Sequence, residues 1–139
     1  MKFSLKKMLP AMLMALVLSV VMIVSSASAA SDLNFKIVKA ANPSETSAAD
    51  GYAIKPASLA SDGETVTLGF STSVLYNIYG LSISHDGGTT YTSYTGTTSG
   101  GNIYYTFPID DFGVNAKAKI SVSVFGLYNQ THDIQIEWL

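Results

Sequence analysis

Over residues 116–138 apolar and polar positions alternate. Ile120, Val122 and Val124 are interleaved with Lys119, Ser121 and Ser123, and Ile134, Ile136 and Trp138 with Asp133, Gln135 and Glu137. A period of two marks strands with one face in a core. Strands are therefore predicted over 117–125 and 131–138, joined by a turn that carries Tyr128, with His132 four residues on. Short runs rich in Val, Ile, Thr, Tyr and Phe predict further strands over 34–40, 53–59, 65–70, 77–84, 89–94 and 102–107. No stretch places apolar residues at helical spacing over three turns. The expected fold is all-β, an immunoglobulin-like antiparallel β-sandwich of about eight strands. A short helical turn is expected near residues 44–51, because Ser47 precedes small residues and Asp50. Residues 95–101 read as a Gly/Ser/Thr loop without periodicity, and 108–113 as a turn or short crossover.

The first thirty residues follow a different logic. Lys2, Lys6 and Lys7 precede an uncharged apolar run over 8–24, followed by small residues that include Ala27 and Ala29. This is the pattern of a secretory signal, so residues 1–29 are expected to be cleaved and 30–139 to form a single domain. Removing the signal leaves five lysines, no arginine and ten carboxylates, a net charge of −5. A domain so charged, with no basic stripe or basic amphipathic helix, is not expected to bind nucleic acid, nor a membrane once the signal is gone. The chain has no cysteine, which excludes disulfides, thiol chemistry, iron–sulfur clusters and thiolate zinc sites. The expected location is outside the cell, free or loosely associated with the wall.

Several motifs point towards enzymes and do not carry the weight. Ser84-His85-Asp86-Gly87-Gly88-Thr89-Thr90-Tyr91 has the S-x-D-x-G-x-T-aromatic form of an Asp box. It occurs once, and its Asp-Gly pair is a turn signal, so the expected role is to hold a turn. His85 and Asp86 are adjacent, and adjacent residues on a strand face opposite ways, which makes a serine-hydrolase arrangement a poor fit. Asp110 and Asp111 lack the rhythm of a calcium loop. No catalytic residue is assigned, and the chain is not expected to be an enzyme.

Two clusters do combine. One is the segment over 47–57, where Ser47, Ala48, Ala49 and Asp50 precede Tyr52 and a Lys-Pro-Ala sequence at Lys55. The other is the terminal hairpin with Tyr128 and His132. Their order and spacing, with a first strand ending at Lys39 and a penultimate strand of Ala/Lys-Val-x-Ile type, here Lys117-Ala118-Lys119-Ile120, resemble the NEAT (near iron transporter) domain of haem-uptake proteins of Gram-positive bacteria. The resemblance spans nearly all of residues 30–139. It implies a haem carrier of hemophore type that captures ferric haem, ferric protoporphyrin IX, and relays it for iron acquisition. The implied partners are haem, haemoproteins and other NEAT-type surface receptors.

Carried over by position, the resemblance makes Tyr128 the ligand of haem iron and puts His132 where the family usually has a second tyrosine that hydrogen-bonds the first. It assigns Ser47 to a haem propionate and Tyr52 to the same lip. Ala48 and Ala49 fall over the distal face, which their small size leaves open. Ile120, Val122 and Val124 fall along the groove, Tyr76 on its opposite wall, and Lys39 near a propionate.

The chemistry is consistent with these positions. A phenolate is a hard anionic donor that favours ferric iron, and tyrosine ligation of haem is an established mode. The phenol's ordinary pKa lies near 10, so ligation at neutral pH needs the iron's charge and a neighbour to share the proton, a task that suits His132. Residues four apart on an ideal strand stand ~13 Å apart, so a direct contact predicts a turn or bulge at Asn129 and Gln130. His132 as the iron ligand in place of Tyr128 is the alternative within this reading. A β-sandwich module that adheres to glycan or protein, without haem, is the alternative to it.

Overall fold

A computed structural model describes residues 30–73 and 75–139; the signal expected over 1–29 lies outside them. Residues Ser31–Leu139 form one compact unit. The strands are β1 (Ser31–Leu33), β2 (Phe35–Lys39), β3 (Ala53–Leu59), β4 (Thr65–Ser71), β5 (Tyr76–Ile83), β6 (Thr92–Tyr94), β7 (Thr97–Ser99), β8 (Asn102–Pro108), β9 (Ala116–Val124) and β10 (Tyr128–Trp138). They form two five-stranded antiparallel sheets, ordered β1-β3-β4-β8-β7 and β2-β10-β9-β5-β6. The fold is the all-β sandwich that the alternation predicts.

The core lies between the sheets. Val66, Leu68, Phe70, Tyr105 and Phe107 point inward from the first sheet, and Ile37, Ile78, Leu81, Ile120 and Ile136 from the second. Polar partners occupy the outer faces. Lys119 Nζ meets Asp133 Oδ1 at 3.0 Å, across the β9–β10 pair whose inward residues are Ile120 and Ile134.

Ten strands are present where about eight were expected, because β1 precedes the strand expected from residue 34 and β7 lies in a stretch read as a loop. Asn34 separates β1, paired with β3, from β2, paired with β10. Thr95 and Gly96 carry β6 over to β7, so the stretch read as a loop over 95–101 contains a strand. Three residues of Thr and Ser have too little period to be legible. The crossover is tight: a Cβ on Gly96 would stand 2.5 Å from Ile103 Cδ1, so only glycine fits there. Other boundaries shift more modestly. The strand expected from residue 89 begins at Thr92, because Asp86 holds the preceding turn. Its carboxylate accepts from Thr89 N at 3.0 Å, Thr90 N at 2.8 Å and the Ser84 hydroxyl at 2.8 Å. These bonds, led by those from Thr90, hold the carboxyl well below its ordinary range. That is the turn-holding role expected of the Asp box.

Candidate functional site

The terminal hairpin departs from its expected form. β10 starts at Tyr128, and the turn is only Phe125, Gly126 and Leu127, with Phe125 (φ 57°) and Gly126 (φ 68°) in the left-handed region. The ladder from Tyr128↔Val124 to Ile136↔Ala116 runs without a register shift. The turn or bulge expected between Tyr128 and His132 is therefore absent, and Asn129 and Gln130 are ordinary strand residues. Alternation puts Tyr128, Gln130 and His132 on the inward face, in line with buried Ile134 and Ile136. Yet all three are exposed, Tyr128 by 54%. The inward face of the sheet extends past the part that the opposite sheet covers.

A 3-10 turn spans Ala48–Tyr52, rather than 44–51, and is held to β2 and β5. Ser47 caps it, its hydroxyl accepting from Ala49 N at 3.3 Å. Asp50 ties it to β2, Oδ1 accepting from Ile37 N at 2.9 Å while Lys55 Nζ donates to Oδ2 at 2.9 Å. Ser47 N donates to Ile37 O at 2.9 Å. At the far end the Tyr52 ring stacks on Tyr76, centroids 3.9 Å apart and planes within 10°. Burial, then the neighbouring Tyr52, raises the Tyr76 phenol above its ordinary pKa. In the sheet order β2-β10-β9-β5 the turn is thus fixed at β2 and at β5, and β10 and β9 lie between those anchors.

Three rows of the sheet define the region. Tyr76, Val124 and Tyr128 share the first, Ile78, Val122 and Gln130 the second, and Leu81, Ile120 and His132 the third. Of the residues assigned to the groove, Ile120 and Val122 are buried in the core and only Val124 is partly open. Ala49 is also buried, so it does not lie over a distal face; Ala48, next to it, is exposed. This follows from the cap: the Ser47 bond to Ala49 N turns that methyl into the core. Lys39 is engaged by Glu45, Nζ to Oε2 at 2.9 Å, and its hydrogen bond and charge lower the Glu45 pKa. Tyr128 and His132 stand ~13 Å apart along the strand, so only their side chains can close the gap.

The reading from sequence missed three contributors. Gln130 lies between Tyr128 and His132 on the same face, and continuing the even-numbered alternation of Ile134 and Ile136 back to residue 128 finds it. Asp50 anchors the lip through a bond thirteen residues away in sequence, for which there is no local signal. Leu75, Phe125 and Leu127 form an exposed apolar tip beside Tyr128, Leu127 being 92% exposed and Phe125 N bonded to Leu75 O at 3.0 Å.

The sequence profile of the NEAT domain, an iron transport-associated domain, matches residues 25–138. The chain belongs to the NEAT family. Two solved structures share its fold. The NEAT5 domain of IsdX2, a B. anthracis hemophore in complex with heme, is 21% identical, with a TM-score of 0.67 over 81% of this chain and 96% of that one. A glutamine-to-threonine mutant of IsdX2-NEAT5, also in complex with heme, gives 21% identity and a TM-score of 0.67 over 81% and 95%. No curated protein matches the sequence. In this NEAT domain Tyr52 stacks on Tyr76, which shares a row of the sheet with Val124 and Tyr128, while Ser47 is held beside Ile37 of β2.

Proposed function

We propose that this chain is a secreted haem-binding protein that captures ferric haem and passes it on for iron acquisition. The observation that carries the reading is Tyr128: a half-exposed phenol on the inward face of an unbroken hairpin, beside exposed apolar residues, in a NEAT domain. Bound heme in the IsdX2-NEAT5 structures supports it. Haem presents a broad apolar face and an iron that takes an axial ligand. The tip residues Phe125 and Leu127 and the Tyr52–Tyr76 stack offer apolar surface, while Tyr128 offers the oxygen.

The site suits loading and unloading more than permanent retention. It is a lip on the edge of the sandwich, so one side of a bound haem stays reachable by a second protein. His132, two ladder rows along the same face from Tyr128, serves as a second polar group of the site; Ser47 serves a propionate. The chain acts as a binding module and carries out no reaction of its own.

Titration of residues 30–139 with ferric haem, followed by absorption, tests this. The expected result is a saturable one-to-one complex with a tyrosinate spectrum that Tyr128→Phe abolishes. A complex that survives Tyr128→Phe and is lost in His132→Ala moves the ligand to histidine. Absence of any saturable complex refutes haem binding.

A further inference from the structure

A cavity of about 410 Å³ lies on the flank of the second sheet, away from the lip. It exists because β6 pairs with β5 only from Leu81 to Ile83, whereas β5 continues to Tyr76. Beyond Tyr94 the chain leaves for the first sheet through Thr95 and Gly96, and a notch opens beside Tyr79 and Gly80. The β5–β9 register slips there by one residue: Ile78 faces Val122, Gly80 faces Ser121, and Tyr79 is the extra residue. Such bulges re-aim a side chain, and Tyr79 is 53% exposed at the notch.

Every residue lining the cavity is uncharged. Ser82 and Ser93 pair their hydroxyls at 3.0 Å, and Ser121 pairs with Thr131 at 3.0 Å. A hydroxyl has one donor and two acceptor sites, so each pair keeps unused capacity. Behind Gly96 stands the ring of Tyr105, 3.0 Å from where a Cβ would be, and the buried Tyr105 hydroxyl has no partner among the described residues. A charged ligand would find no counter-ion among the lining residues, and an aliphatic one would leave the remaining donor and acceptor capacity of the hydroxyl pairs unused. A sugar ring satisfies both conditions, with C–H groups on one face for an aromatic plate and hydroxyls around its rim. The volume lies within the usual range of small-molecule sites, about 300–1,000 Å³.

We propose that the notch between Tyr79 and Gly96 binds a neutral oligosaccharide, with Tyr79 as the stacking plate and Ser82, Ser93 and Ser121 as hydrogen-bonding groups. Of the notch residues only Ser121 lies on the Tyr128 hairpin, on the face opposite Ile120 and Val122, and none lies on the lip, so the proposal does not rest on haem binding.

The test is a titration of 15N-labelled residues 30–139 with cellotriose, chitotriose and mannotriose in turn, followed through amide shifts. At least one sugar is expected to give saturable shifts centred on Tyr79, Gly80, Ser93 and Gly96. Tyr79→Ala is expected to weaken that binding about tenfold or more, and Tyr79→Phe to keep it. The amide spectrum of each variant verifies its fold, and ferric haem binding is expected to be unchanged in both. The proposal is overturned if none of the three sugars gives saturable shifts, if the shifts centre elsewhere, or if Tyr79→Ala binds as well as the wild type.

Discussion

The chain contains two histidines, each with a tyrosine nearby, and the two pairs differ in what their polar atoms are already doing. His85 Nε2 lies 2.7 Å from the Tyr94 hydroxyl, with its Nδ1 3.8 Å from Asp110 Oδ2, at the far end of the sandwich. The Tyr94 ring packs on Phe107, centroids 5.7 Å apart, and burial, then the Asp110 charge, raises its phenol above the ordinary pKa. Tyr128 and His132 lie at the opposite end, on a stretch of β10 that the other sheet does not cover. Residue types are the same in both places. The first pair is closed on itself and supports the fold, whereas the second is exposed and neither member makes a side-chain hydrogen bond among the described residues. Availability marks the candidate site here, because a ligand at the closed pair would have to compete with the bond that already joins His85 to Tyr94.

Tyr128→Phe tests the open pair most severely. It is expected to weaken ferric haem binding by about a hundredfold or more, ~2.8 kcal/mol, with loss of the tyrosinate band in an absorption titration. Next is Asp50→Ala, which releases the lip from β2 and leaves Ile37 N without its partner. A stability loss of about 1–3 kcal/mol is expected in urea unfolding, together with weaker haem binding; full affinity would show that the lip needs no anchor. His132→Ala is expected to cost about tenfold in haem affinity while leaving the tyrosinate spectrum in place. In the closed pair, Tyr94→Phe is expected to lower stability by about 1 kcal/mol in the same urea assay and leave haem affinity untouched. A change in haem affinity there would erase the distinction between the two pairs.

The smallest effect concerns pH at the closed end. The Asp86 pKa is depressed in the folded state, so its contribution to stability is present above the ordinary carboxylate pKa of about 3.9 and is lost as pH falls through the folded value. Thermal melts of the wild type are expected to fall below about pH 4, and Asp86→Asn to flatten that part of the decline. An equally steep decline in Asp86→Asn would show that other carboxylates set the acid limit.

Much of the fold was legible because alternation is a local property. β3 falls on the residues expected, 53–59, and β9 within one residue at either end. The start of β10 was not legible, because Tyr128, Asn129 and Gln130 are polar enough to read as a turn. Tyr128 and Gln130 sit where the inward face is exposed, and Asn129 is on the outer face. The same exposure that disguises the strand makes the candidate site. β7 was hidden for a different reason, since Thr97, Thr98 and Ser99 become a strand only by pairing with β8.

By itself the sequence determined the sandwich, the cap at Ser47, the turn at Asp86 and the pairing of one tyrosine and one histidine on the terminal hairpin. These follow from periodicity and from side chains that bond to their own neighbourhood. Only the tertiary structure decided that Tyr52 stacks on Tyr76, that Asp50 reaches Ile37, that Ala49 is buried while Ala48 is not, and that the last turn is three residues long. Each of these depends on which surface of one sheet the other sheet leaves uncovered, and that is set by where strands of unequal length end against one another.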